Sequence, residues 1–193
     1  MNPERLKRLI SAVQALSNAQ KILIENAARV FSFPYEESRS PESIFDPEGL
    51  EFFGNTLRLH HAFSEEAFTK DKFEHLFVAA LKEQGEDASL APRGNPGYDL
   101  TSEGKRFSLK TQADKALRVK KLHISKFKEL GKGKWSDQES DLVPLRDSFL
   151  EHLQDYDRIF SLRALRKSPH WHYELVEIPK ALPLGGKFSA KRN

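Results

Sequence analysis

At 193 residues, with 38% hydrophobic and 31% charged residues and fourteen Phe, the chain has the composition of one folded globular domain. The absence of Cys excludes disulfides and thiolate metal sites, and no apolar run approaches the ~18 residues of a membrane span. The opening Met1-Asn2-Pro3-Glu4-Arg5 leads into no signal-peptide core, so a cytoplasmic protein with no membrane partner is expected. The net charge of +3 is small, but it is concentrated. Residues 105–134 carry Lys105, Arg106, Lys110, Lys115, Arg118, Lys120, Lys121, Lys126, Lys128, Lys132 and Lys134 against only Asp114 and Glu129, whereas residues 36–66 are acidic. Such a segment is either a solvated basic face or a surface for a polyanion.

In chain order, Leu6, Leu9, Ile10, Val13 and Leu16, then Ile22, Leu23 and Val30, recur at helical spacing and predict one long helix or two in succession. Pro47-Glu48 opens a short helix through Phe52, Phe53 and Leu57, and Ser64-Glu65-Glu66 with Phe68, Phe73, Leu76, Phe77, Ala80 and Leu81 marks another, ending near Gly85. Pro92, Gly94, Pro96 and Gly97 then make a loop. Residues 98–101 and 106–111 alternate at period two around Ser102-Glu103-Gly104-Lys105, which is a hairpin. Helices are expected at 122–130 and 145–153, and strands at 158–165 and 170–178. This order predicts a mixed α/β domain with a central sheet.

The hairpin carries the chemistry. With the turn centred on Glu103-Gly104, Thr101 faces Arg106, Leu100 faces Phe107 and Asp99 faces Ser108. Alternation puts Leu100, Phe107, Leu109 and Thr111 on one face and Asp99, Ser108, Lys110 and Gln112 on the other. A carboxylate can hold Mg²⁺ through oxygen, and a nearby lysine can orient or deprotonate a water and stabilise phosphate charge. The bland alternative is a surface cross-strand pair worth at most about 1 kcal/mol. A single Asp rarely holds Mg²⁺ without help. Two further acids are candidates: Glu74, on the border of the apolar face of the helix before the hairpin, and Glu129, the one acid among the lysines of 124–131.

The sequence of a helix with Glu74, Pro96-Gly97-Tyr98-Asp99, a short turn, Ser108-Leu109-Lys110, a basic helix and two strands resembles the PD-(D/E)XK nuclease superfamily, most nearly its type II restriction endonucleases. The resemblance covers residues 73–178. It implies a restriction-endonuclease-like α/β core with a central mixed sheet flanked by helices, preceded by an N-terminal helical region: a single domain with helices in 1–62, the nuclease core in 63–180 and a basic tail in 181–193. Asp99 matches the first metal-binding acid and Lys110 the lysine that assists the attacking water. Ser108 stands where the second acid is expected, and Gly97-Tyr98 stands in place of the nominal proline. Variants of the family with Ser-x-Lys supply the missing acid from the helix after the lysine, which makes Glu129 the first choice and Glu74 the second.

The resemblance further implies double-stranded DNA cut at a short specific sequence with Mg²⁺, leaving 5'-phosphate and 3'-hydroxyl ends. It implies a homodimer, and a cognate DNA methyltransferase as a functional rather than physical partner. DNA contacts are expected from Gln112, Lys115, Arg118, Lys120, Lys121, His123, Lys126, Lys132, Lys134 and Trp135, each phosphate contact steepening the salt dependence of binding. The rivals are a structure-specific or repair nuclease on the same site, and a non-catalytic DNA-binding protein in which Ser108 marks a lost site. His60-His61 and His170-x-His172 lack a third ligand at recognisable spacing, and Gly131-Lys-Gly-Lys lacks P-loop spacing.

Overall fold

The computed structural model describes residues 2–95, 97–113, 117, 139–167 and 170–180, which fall into two compact units, Met1–Glu66 and Ala67–Asn193. In the first unit the apolar N-terminal stripe forms two helices, α1 (Pro3–Gln14) and α2 (Asn18–Ser32), separated by a capping box in which Ser17 and Gln20 exchange side-chain and backbone hydrogen bonds. Helix α3 (Pro47–Phe63) starts at Pro47, with Asp46 capping the Gly49 N–H at 2.7 Å. Arg58 on α3 closes the end of α2. Its guanidinium donates to the carbonyls of Val30 and Phe33, both at 2.6 Å, and stacks over the Tyr35 ring at 4.3 Å.

The second unit is the expected α/β architecture, a five-stranded mixed sheet with helices. Strands β1 (Ala88–Leu90), β2 (Leu100–Ser102), β3 (Lys105–Gln112), β4 (Arg158–Lys167) and β5 (His170–Glu177) lie side by side in that order. All neighbours are antiparallel except β3 and β4, which run parallel. Helix α4 (Lys70–Glu83) packs on β1, β2 and β3. Its buried Phe73, Leu76, Phe77, Ala80 and Leu81 repeat at the three- and four-residue spacing of one helix face. Phe77 meets Phe160 at 5.1 Å between ring centroids and Phe107 at 6.2 Å, so the centre of this core is a cluster of aromatic rings on the sheet. At the end of α4, Gly85 takes a positive φ of 90°, and the Gly85 and Glu86 N–H groups return to the carbonyls of Lys82 and Leu81. This Schellman closure turns the chain into β1.

Three local expectations are corrected. Ser64-Glu65-Glu66 does not begin α4: Ser64 is the residue that ends α3, its hydroxyl accepting from the Glu66 N–H, and α4 starts at Lys70. The stretch after Gly85, read as leading into loop, holds the three-residue edge strand β1, too short to show periodicity. The helix expected at 145–153 is α5 (Glu139–His152), followed by a 3₁₀ turn at Leu153–Asp155; Pro144 sits within it. The helix expected at 122–130 lies outside the described residues. None of the described helices is long and apolar enough to cross a membrane.

Candidate active site

The hairpin turn places the site. Glu103 and Gly104 both have positive φ, 49° and 73°, as a two-residue turn between right-twisted strands requires, and the register is Ser102↔Lys105, Thr101↔Arg106, Leu100↔Phe107. The pairing stops there. The Asp99 N–H bonds the Phe107 carbonyl at 2.8 Å, so Asp99 does not continue the ladder onto Ser108, and its carboxylate lies over the following residues of β3. Oδ2 accepts from the Leu109 N–H at 2.5 Å and, more weakly, from the Ser108 hydroxyl at 3.4 Å. The approach to Asp99 is held by Asn95, whose side-chain oxygen accepts from the N–H groups of Gly97 and Tyr98. Gly97 is small for a reason: a Cβ there would stand 3.0 Å from the Asp155 Cβ.

Lys110, also on β3, points along the same face. Its Nζ donates to the Ser108 hydroxyl at 3.0 Å and stands 4.0 Å from Asp99 Oδ2. Ser108 is buried and links lysine to acid as a neutral bridge. The other oxygen of Asp99 faces α4. Lys70 Nζ donates to Asp99 Oδ1 at 2.8 Å and lies 3.1 Å from Glu74 Oε1, one helical turn further on. Asp99 and Glu74 therefore converge on a single ammonium. Burial alone would lower the Lys70 ammonium, but the hydrogen bond and charge of Asp99, followed by those of Glu74, outweigh it and leave its pKa raised. The four side chains are 17% (Asp99), 21% (Glu74), 26% (Lys110) and 43% (Lys70) exposed, a half-covered cluster with a solvent side.

Of the residues singled out from sequence, the structure brings together Asp99, Ser108, Lys110 and Glu74. Gln112 continues the same strand face, opposite Arg163 of β4. Arg163 is buried and pairs with Glu174 at 2.7 Å. Glu129, Lys115, Arg118, Lys120, Lys121, His123, Lys126, Lys132, Lys134 and Trp135 lie outside the described residues. Lys70 was missed. Its i, i+4 relation to Glu74 is visible in the sequence, but its contact with Asp99, 29 residues away, exists only through tertiary packing. His60 and His61 engage the carbonyls of Glu66 and Ser64. Among the described residues no group of three or more His, Asp or Glu side chains is placed to hold a metal.

Next to the site, Tyr156 is buried with Leu153, Ile159 and Ile178, against Tyr98. Burial, then the charges of Asp155 and Asp99, push its phenol from 10.0 up to about 12. A folded-state pKa above the unfolded one gives stability that is whole below pH 10 and lost as pH rises through 12. Tyr156→Phe should therefore flatten the alkaline limb. Between about pH 9 and about pH 11.5 the wild type should lose roughly 2 kcal/mol more than the variant in urea titrations.

An acid at the end of a hairpin ladder, a lysine two residues past a bridging serine, and a second acid delivered by a helix on the sheet thus stand together on one half-covered face, a set of groups able to bind a cation and to steer a proton. Residues 9–188 match the model of the SmaI family, type II site-specific deoxyribonucleases, and the chain belongs to that family. It is 40% identical over 174 residues to the type II restriction enzyme SmaI of Serratia marcescens, an alignment that covers 89% of this chain and 68% of that protein. No solved structure matches the chain. The chain is thus a type II restriction endonuclease that acts on DNA.

Proposed function

We propose that the chain hydrolyses phosphodiester bonds of double-stranded DNA at a short specific sequence with Mg²⁺, leaving 5'-phosphate and 3'-hydroxyl ends, through a PD-(D/E)XK-type site in its Ser-x-Lys form. The observation that carries this reading is the convergence of Asp99 and Glu74 on one positive group, with Lys110 4.0 Å from the same aspartate. Two carboxylates aimed at one point suit a cation that keeps most of its waters and takes its remaining oxygens from a phosphate. Bound there, Mg²⁺ supplies Lewis acidity toward the scissile phosphate. Asp99 would be held in its ligating orientation by the Leu109 N–H. Lys110, oriented by the Ser108 hydroxyl, would position the attacking water and receive or stabilise charge beside the phosphate. In this reading Ser108 is not a metal ligand, and Glu74 replaces the acid missing from its position.

DNA would be held by the basic residues of 105–134 together with Gln112, by a homodimer whose two-fold axis matches a pseudo-palindromic site. In a cell such an enzyme would work in the cytoplasm beside a methyltransferase that protects the same sequence. Incubating plasmid with purified protein and Mg²⁺, then sequencing the fragment ends, tests the reading. Discrete fragments with a common end sequence are expected, and EDTA should abolish them. A smear or nicks at junctions would favour a structure-specific nuclease, and binding without cleavage a non-catalytic DNA-binding protein.

Glu74 and Glu129 compete for the second carboxylate. Glu74→Gln should lower the cleavage rate about 100-fold or more while Glu129→Gln stays near wild type, since only a metal ligand must carry charge. Single-turnover cleavage at saturating DNA measures both. The reverse pattern would move the metal shell to Glu129.

A further inference from the structure

We propose that Lys70 is a built-in cation of this site, which holds Asp99 and Glu74 together when no metal is bound and must leave for a divalent cation to enter. The inference rests on the reading of Asp99 and Glu74 as metal ligands. Lys70 Nζ sits 2.8 Å from Asp99 Oδ1 and 3.1 Å from Glu74 Oε1, ordinary distances for an ammonium. Mg²⁺ would need the same oxygens at about 2.0–2.1 Å, and the two cannot share them.

The sequence context argues that this lysine is there for the carboxylates. It occupies the first position of α4, where the positive end of the helix dipole disfavours a cation and an acid would be the usual choice. The preceding Thr69 makes no side-chain cap that would stabilise the start instead. A local rule broken at a lysine that touches both acids is the pattern of a functional residue. Lys70 can also leave: at 43% exposed, its side chain can swing into water without stranding a buried charge. Without it, two carboxylates converging in a half-covered cluster would repel each other, a repulsion that a divalent cation relieves more fully than one ammonium does. The lysine thus neutralises the two acids while no metal is bound and competes with the metal for them.

Titrating Mg²⁺ alone into the protein by calorimetry, at one pH and without DNA, tests this. Lys70→Met, which keeps the stem and removes the charge, should bind Mg²⁺ about three- to tenfold more tightly than wild type, because the competitor is gone. Lys70→Arg, which restores a cation, should bring affinity back toward wild type. A thermal melt checks that each variant folds, and Lys70→Gln takes the place of Lys70→Met if that variant melts early. Asp99→Asn separates the two levels of the argument. Mg²⁺ binding that depends on Asp99 but is unchanged or weakened by Lys70→Met overturns the role of Lys70 alone. Equal binding by wild type and Asp99→Asn overturns the ligand assignment and the inference with it.

Discussion

Asp99→Asn and Lys110→Met are each expected to reduce DNA cleavage by at least about 10³-fold while leaving DNA binding largely intact. The choice of substitution follows from the geometry. Asp99 accepts a hydrogen bond from the N–H of Leu109, a residue with no solvent exposure. Alanine would leave that donor unsatisfied and cost about 1–3 kcal/mol of stability, which would blur a catalytic effect with a structural one. Asparagine keeps an oxygen acceptor and removes the charge that a bound cation would need. Methionine at 110 keeps the aliphatic stem and removes the ammonium that rests on Ser108. Single-turnover cleavage with Mg²⁺, beside gel-shift binding without it, separates the two effects. Full activity in either variant would sink the assignment of the site.

The part of this site legible in sequence is the part built from neighbours in the chain. Glu103-Gly104 fixes a two-residue turn, the turn fixes the pairing of Leu100 with Phe107, and the alternation of β3 then sets Ser108 and Lys110 on one face. One step of that reading fails: Asp99 leaves the ladder and does not face Ser108 as a paired residue, because its N–H takes the Phe107 carbonyl. The polar face is also more enclosed than alternation suggests, with Ser108 buried as fully as Phe107 and Leu109 on the apolar face. What was not legible came from packing between elements. Nothing near Lys70 in the sequence announces Asp99, and that Glu74 stands beside Asp99 follows only from the packing of α4 on the sheet; Glu129 lies outside the described residues. Ser64-Glu65-Glu66 has the composition of a helix start, yet its serine closes the previous helix, since a hydroxyl can serve the N–H groups that follow it in either setting.

Phe77→Ala should lower stability by about 3–5 kcal/mol, much of the margin of an ordinary domain, read as a shift of the urea midpoint. The ring has no solvent exposure and lies among Phe73, Phe107 and Phe160, with centroids 5.6, 6.2 and 5.1 Å away, so its removal leaves a cavity that three rigid rings cannot close. The same packing bears on function. Phe77 lies three residues past Glu74 on α4, and the carbonyl of Phe107 on β3 accepts from the Asp99 N–H, so the contact of the two rings ties together the backbone that carries the two acids. Phe77→Leu should therefore cost less stability than alanine and still weaken cleavage, as Glu74 shifts relative to Asp99 while all the side chains of the site are retained. A Leu variant that loses stability but cleaves at the wild-type rate under folding conditions would show that the Phe77 ring does not set the position of Glu74.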